Sequence, residues 1–221
     1  MSSKVRINPT GELRKRGVAE NVFHLNLSDP RLSDRWNFMT ECAGNARVAR
    51  EIGCLLAKTH EVEVRGRDLF WKQAEKVGFA ALLNLVASRR ADATPADFAE
   101  WVAFSSLSLL NETVLASEDM KLRMDWAIFG RMNPDTQANV LIGMCFGCSV
   151  FVDPAIKAIS AVPTAEEAAR GIRVLDLATL QQPDTIVCVS VPEDRKQEFA
   201  PFLDVLSGLA KRPSLTQAVA A

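Results

Sequence analysis

Thr185-Ile186-Val187-Cys188-Val189-Ser190-Val191 is an apolar run, rich in β-branched side chains, with hardly a polar interruption. β-Branched residues favour strands. A run that does not alternate between apolar and polar side chains suits a strand covered on both faces, as in a parallel sheet. Pro192-Glu193-Asp194 ends the run, and an amphipathic helix is predicted over 198–209. This end of the chain therefore predicts part of an α/β layer.

Two further strands are predicted at the other end of the chain. Val22 to Leu27 alternates apolar and polar side chains, which is typical of a half-buried strand. Val5 to Ile7 is short and β-prone, and it stops at the turn-forming residues Asn8-Pro9-Thr10-Gly11. These 35 or so residues are too few to bury a core alone. We therefore expect the two ends of the chain to meet in space and complete one layer.

The residues between these strands have helical periodicity. Thr40 to Lys58 has one apolar stripe and predicts a single helix. Further helices are predicted from Asp68 to about Ser88, from a Thr94 cap with Pro95 in the first turn, from Ser117 or Asp119, and over 136–151. Thr164-Ala165-Glu166-Glu167 fits a capping box only loosely, because we place its acidic residues too early.

The predicted fold class is therefore α/β and mostly α, with a helical domain inserted into a partial α/β layer. Residues 1–37 and 152–210 would form the layer, residues 38–151 the inserted all-helical domain, and residues 211–221 a frayed tail. The length of 221 residues allows one sizeable domain or two small ones.

Composition excludes some classes of function. Hydrophobic residues make up 48% and charged residues 24%, which is typical of a globular protein. The net charge of −1 gives no overall attraction to nucleic acid or to an anionic membrane, although DNA binding by a local basic patch stays possible. We find no run of about 18 apolar residues and no signal peptide, so we expect a cytoplasmic protein without a membrane span.

The order of these segments resembles the type IV coupling proteins, the hexameric ATPases that feed DNA and protein into conjugation machines. The first matching segments are Asn8-Pro9-Thr10-Gly11-Glu12, Asn26-Leu27-Ser28-Asp29-Pro30, and Ser33-Asp34-Arg35-Trp36-Asn37. Later ones are Asp68-Leu69-Phe70-Trp71-Lys72-Gln73-Ala74, Thr94-Pro95-Ala96-Asp97, Val150-Phe151-Val152-Asp153-Pro154, and Val191-Pro192-Glu193-Asp194-Arg195. The resemblance covers about residues 5 to 210, between the two nucleotide motifs of the family (Walker A and Walker B). It implies that the α/β layer is RecA-like and that the helical block is the family's inserted all-α domain.

This sequence departs from the family pattern in the motifs that bind and hydrolyse nucleotide. The usual Asp and Lys of the turn are replaced by Asn8 and Thr10, and the family's phosphate loop would lie before residue 1. No Gly-x-x-x-x-Gly-Lys occurs elsewhere. In the sequence, Thr185 to Asp194 is the only predicted apolar strand followed by acidic residues, as the Walker B motif requires. Pro192 separates that strand from Glu193 and Asp194. Without a phosphate cradle and a Mg²⁺-holding acid, phosphoryl transfer has no electrostatic support. We therefore expect no ATPase activity, no enzyme activity and no cofactor.

The cysteines and histidines do not form a recognisable metal or redox motif in the sequence. Cys145-Phe146-Gly147-Cys148 is a C-x-x-C, but zinc needs two more ligands, and His24 and His60 do not form a second pair. A thioredoxin-like role needs the motif at a strand-to-helix turn, which we do not find. Packing in a reduced compartment is the favoured interpretation, with metal binding or redox chemistry as the alternatives.

Four residues of the helical block are candidates for partner binding: Trp71, Arg89, Arg90 and Trp101. Tryptophan and arginine are enriched at the energetic centres of protein interfaces. The alternative is that the tryptophans pack in the core and that the arginines form a solvated helix end.

Three hypotheses follow for function. In the first, a non-catalytic interaction protein binds the coupling ATPase, relaxase or channel of a conjugative type IV secretion system and inhibits or regulates plasmid transfer, as a fertility-inhibition factor does. In the second, the chain is a split or excised coupling-protein module that recruits relaxosome proteins, effectors or DNA. The third is an enzyme of unrelated type. Surfaces that the family buries would be exposed here, which favours a hetero-complex or an oligomer.

Overall fold

The computed structural model describes residues 5–7, 21–58, 68–182 and 184–211. The protein is mostly helical, with a small parallel sheet. The strands are β1 (Val5–Ile7), β2 (Val22–Asn26), β3 (Arg35–Trp36), β4 (Val174–Leu175) and β5 (Ile186–Ser190). The helices are α1 (Met39–Cys42), α2 (Ala46–Lys58), α3 (Asp68–Arg89), α4 (Pro95–Phe104), α5 (Leu107–Leu115), α6 (Met120–Gly130), α7 (Pro134–Cys148), α8 (Pro154–Ser160), α9 (Ala165–Ala169), α10 (Leu177–Gln181) and α11 (Ala200–Ala210).

The main sheet has the order β1-β5-β2, with all pairs parallel. Val187 of β5 lies opposite both Val5 of β1 and Phe23 of β2, so the strand from the end of the chain is the central one. The central residues of β5 are buried, as expected for an apolar run without alternation. The prediction of a parallel sheet built from both ends of the chain is confirmed.

A second pair of strands also joins the two ends of the chain. Arg35 and Trp36 of β3 lie opposite Val174 and Leu175 of β4, again in parallel. The side chain of Trp36 packs edge-on against Phe202 of α11, with ring centroids 5.1 Å apart. The segment between β2 and the first helix is therefore anchored to residues more than a hundred positions later.

The helices between the strands pack around α3. This 22-residue helix is buried along most of its middle and contacts α2, α4, α6 and α7. Its closest partner is α2, because Gly53 brings the two backbones together. A Cβ at Gly53 would lie 3.0 Å from the Lys76 carbonyl oxygen and 3.0 Å from the Ala80 amide nitrogen. A larger side chain would force the helices apart.

One predicted helix is two helices. We expected an unbroken helix over Thr40 to Lys58, but α1 ends at Cys42 and α2 begins at Ala46. Gly44 lies between them with φ of 67°, a left-handed conformation that breaks the helix and that glycine adopts without strain. The Asn45 side chain then accepts a hydrogen bond from the Val48 amide, as a helix N-cap does.

Capping chemistry sets most of the other helix starts. Thr94 caps α4 as predicted, and with Asp97 it forms a reciprocal capping box. Of the two predicted alternatives for the start of α6, Ser117 and Asp119, Asp119 is the cap. Two expectations were wrong. Asn133 is the cap of α7, so that helix starts at Pro134 rather than Thr136. Thr164 and Glu167 form a full capping box, because Ala165 is the first helical residue and Glu167 therefore occupies the third position.

The hydrophobic core runs without interruption from the sheet into the helices. Phe38, which follows β3, packs against Phe151, with ring centroids 5.3 Å apart. This contact joins the first and last residues of the predicted helical domain, and the division into two domains stays a prediction. The predicted turn at Asn8-Pro9-Thr10-Gly11 and most of the predicted tail, residues 212–221, lie outside the described residues.

Among the described residues, one helical stretch, Pro134–Val152, is long and apolar enough by composition to cross a membrane, and 39% of it is buried inside the protein. The core helices of globular proteins share this length and composition. The expected absence of a membrane span stays a prediction.

Candidate functional site

Three of the four predicted partner-binding residues lie together at the C-terminal end of α3. The Arg89 guanidinium stacks over the Trp101 ring at 5.4 Å from its centroid. Arg90 forms ion pairs with Asp97 at 2.7 Å and with Asp92 at 3.2 Å. Arg90 is therefore neutralised, whereas Arg89 and Trp101 present a cationic and aromatic surface.

Trp71 lies at the opposite end of the same helix. Eighteen positions at about 1.5 Å each place it about 27 Å along the axis from Arg89. Its ring packs edge-on against Phe70 at 5.4 Å, and both side chains are exposed. The structure thus brings Arg89, Arg90 and Trp101 together but does not place Trp71 in the same site.

A shallow cavity of about 380 Å³ lies beside Arg89, between α3 and α5. Leu85, Ser88 and Arg89 form one side of the cavity, and five residues of α5 and the turn after it form the other: Leu109, Glu112, Thr113, Ala116 and Ser117. We did not predict α5 from the sequence. Its apolar residues are divided between a buried and an exposed side, which obscures the periodicity.

Exposed apolar side chains form stripes on two consecutive helices of the helical block, α6 and α7. On α6, Met120, Met124 and Ile128 are four positions apart and 60%, 66% and 59% exposed. On α7, Ile142 and Phe146 repeat the same spacing and are also exposed. Large apolar side chains in such rows mark candidate interaction surfaces.

A second site lies on the sheet side of the protein, and we did not predict it from the sequence. This cleft has a volume of about 580 Å³. Its lining comes from β2, β5, the turn after β2 and the loop between α9 and β4: His24, Asn26, Ser190, Arg31, Leu32, Asp34, Arg170, Gly171, Ile172 and Arg173. His24 lies opposite Cys188 and Asn26 opposite Ser190, on the face of the sheet away from Phe23 and Leu25.

Asp34 holds the walls of the cleft together. Its Oδ2 accepts a hydrogen bond from the His24 amide at 2.8 Å, and its Oδ1 accepts one from the Arg173 amide at 2.9 Å. Its carboxylate also forms an ion pair with the Arg173 guanidinium at 3.5 Å. That guanidinium donates to the Val22 carbonyl and lies over the Phe23 ring at 4.2 Å. The buried carboxylate therefore links the edge of the sheet to the loop that carries the arginines.

The loop of the cleft is fixed by the end of α9. The Gly171 amide donates to the Ala168 carbonyl, and the Ile172 amide donates to the Glu167 carbonyl, which together form a Schellman motif. Gly171 has φ of 90°, as this motif requires. The turn directs Arg170 and Arg173 to the cleft.

An ion pair beneath this loop joins the same two segments. The guanidinium of Arg35, which is 5% exposed, donates to Glu167 at 2.6 Å. The pKa of Glu167 is lowered, first by its hydrogen bond from the Thr164 amide and further by Arg35. Glu167 therefore stays ionised under the loop and fixes the position of α9.

The C-x-x-C motif lies in the last turns of α7, not at a strand-to-helix turn. Burial raises the pKa of Cys148 to about 12 and also raises the pKa of Cys145, so both stay protonated thiols near neutral pH. Within residues 5–7, 21–58, 68–182 and 184–211, no cluster of three or more His, Cys, Asp or Glu side chains is arranged to hold a metal ion.

The sequence contained a partial signal for the cleft. Ser33-Asp34-Arg35 stood out only as part of the family resemblance, and Arg170 and Arg173 did not stand out at all. The two parts lie more than 130 residues apart, so only the pairing of β3 with β4 brings them together.

Comparisons with known proteins found no matching family model, no matching curated protein and no matching solved structure.

Proposed function

We propose that this protein is a coupling-protein-like interaction protein that binds a component of a conjugative type IV secretion system and inhibits or regulates plasmid transfer. The proposal combines the sequence resemblance with one structural observation. Strands from both ends of the chain pair in one parallel sheet, and the helices α1 to α10 lie between β2 and β5 in the sequence. This is the order expected of a helical domain inserted into a RecA-like layer.

The partner that we propose is the coupling ATPase itself. A chain that resembles one subunit of a hexamer can occupy a surface that neighbouring subunits use. The exposed stripe of Met120, Met124 and Ile128 offers an apolar contact. Burying each such side chain contributes about 1.5–3 kcal/mol before the costs of association are subtracted. Arg89 and Trp101 offer a second contact of the kind that dominates interface energetics.

The first experiment measures binding and transfer together. The purified protein is tested for co-purification with a coupling ATPase, and plasmid transfer frequency is measured with and without the chain. We expect binding and a lower transfer frequency. If the ATPase is not retained and transfer is undiminished, the proposal is wrong.

A charge placed on the stripe tests the proposed surface. Met124→Glu should abolish co-purification without unfolding the protein, because Met124 is 66% exposed. Val162→Glu is the matched control, since Val162 is 78% exposed in the loop before α9. Equal binding by the two variants would exclude the stripe as the contact.

The alternative function, a recruitment module for relaxosome proteins, effectors or DNA, predicts the opposite genetic result. Deletion of an inhibitor raises transfer, whereas deletion of a recruiter lowers it. A neighbouring reading frame that encodes the nucleotide loop would also favour the recruiter. Nucleotide-dependent turnover above background would contradict both non-catalytic functions.

A further inference from the structure

We propose that the cleft between β2, β5 and the α9–β4 loop is a binding site for a small ligand that carries a phosphate group. The inference does not depend on the conjugation proposal. It rests on the hydrogen-bond donors that face the cleft, on which of them are already used, and on the shape of the site.

Three of the cleft's polar side chains have no protein partner within the described residues. Arg170 forms no ion pair or side-chain hydrogen bond there, the His24 ring has no hydrogen-bond partner, and the Ser190 hydroxyl also has none. Arg170 is exposed, whereas His24 and Ser190 are half-buried on the floor. The cleft therefore offers one free guanidinium opposite two further polar groups.

The remaining charges of the cleft are balanced and hold its shape. Arg173 is engaged with Asp34, and Arg31 is paired with Asp29 at 2.9 Å. Both carboxylate oxygens of Asp34 accept hydrogen bonds from backbone amides, those of His24 and Arg173. Asp34 therefore does not offer a free acceptor to a cation. Because Asp29 balances Arg31 and Asp34 balances Arg173, the unpaired charge in the lining is that of Arg170. The cleft is therefore positive although the whole chain has a net charge of −1.

The arrangement of donors favours phosphate over carboxylate. A carboxylate is planar and is satisfied by a single guanidinium fork, whereas a phosphate group has three outer oxygens that accept from several directions. Here the unused donors come from two main sides: His24 and Ser190 on the sheet, and Arg170 on the loop. Arg31 on the turn adds only its Nη1, because its Nε and Nη2 donate to Asp29. The volume of about 580 Å³ exceeds that of one phosphate group and lies within the usual range for small-molecule sites. Leu32 and Ile172 also line the cleft and would contact an apolar part of the ligand.

The test uses pyrophosphate as the probe and the full chain at constant ionic strength. Binding is measured by calorimetry and by the NMR signals of the histidine rings, because the chain has only two histidines. We expect saturable binding at or below about 1 mM, with a change in the chemical shift of the His24 ring that exceeds the change at His60. Citrate is titrated in parallel as the carboxylate probe.

Arg170→Gln should weaken pyrophosphate binding at least about tenfold, since a charge-assisted hydrogen bond is lost. Arg47→Gln, an exposed arginine on α2 outside the cleft, is the matched control and should bind as the wild type does. Both positions are exposed, so thermal unfolding should be unchanged. The proposal is overturned by an absence of saturable binding, by equal losses in the two variants, or by citrate binding as tightly as pyrophosphate.

Discussion

Replacing Asp34 should destabilise the whole junction between the two ends of the chain. The side chain is 10% exposed and accepts hydrogen bonds from two backbone amides, those of His24 and Arg173. Asp34→Ala leaves both donors and the Arg173 guanidinium without this partner. An orphaned buried donor costs about 1–3 kcal/mol. Water can reach part of the site, so we expect a total loss of about 2–4 kcal/mol.

Asp34→Asn should recover only part of this loss. The two amides donate to different oxygens of the carboxylate, Oδ2 for His24 and Oδ1 for Arg173. An asparagine amide has one acceptor oxygen, so its NH₂ group would face one of the two backbone donors. We expect a loss of about 1–3 kcal/mol, because one donor stays unsatisfied.

Urea unfolding followed by circular dichroism measures these effects. With a slope of about 2 kcal/mol per M, the midpoint for Asp34→Ala should fall by about 1–2 M. The control is Asp194→Asn, an exposed carboxylate that should change the free energy of unfolding by less than about 0.5 kcal/mol. If the free energy of unfolding of Asp34→Ala also differs from that of the wild type by less than about 0.5 kcal/mol, Asp34 does not hold the junction.

Two further predictions concern packing and pH. Gly53→Ala should destabilise the protein by about 1–3 kcal/mol, because the added methyl meets backbone atoms of α3 at 3.0 Å. Gly130→Ala is the control, because a Cβ at Gly130 would lie 3.7 Å from its nearest neighbouring atom, and its thermal unfolding temperature should not fall. Equal losses of stability in the two variants would refute the close approach of α2 and α3 at Gly53. Asp119 has a lowered pKa, first because the Leu122 amide donates to it. Its charged cap therefore stabilises the fold above about pH 4, the unfolded value, and this stability is lost as the pH falls further. The stability difference between Asp119→Ala and wild type, about 1 kcal/mol at pH 7, should shrink at pH 3, and a constant difference would contradict this assignment.

Local chemistry explains why several elements could be predicted. Thr94 followed by Pro95 and Asp97 contains its own capping box, and the Asp119 side chain caps its helix by accepting hydrogen bonds from the Lys121 and Leu122 amides. The prediction that the apolar run around Ile186–Ser190 forms a buried strand of a parallel sheet is confirmed. Each of these structures depends on residues that are close together in the sequence, so the local sequence pattern is enough to predict it.

The failures have physical reasons as well. The break at Gly44 lies inside an apolar stripe that continues in α2, so periodicity alone joined the two helices. The predicted partner residues Trp71 and Arg89 share a helix, but the length of that helix separates them. Arg170 was missed because an exposed arginine after a short helix has no distinguishing pattern until another segment faces it.

The sequence by itself determined the helices that carry their own caps, the strands with clear apolar patterns, and the mostly helical α/β class. Only the tertiary structure decided which strand lies in the centre of the sheet and which residues form the cleft. The reason is that Asp34 and Arg173 meet through parallel pairing of distant segments. Such pairing depends on backbone hydrogen bonds and shared burial, neither of which leaves a local pattern in the sequence.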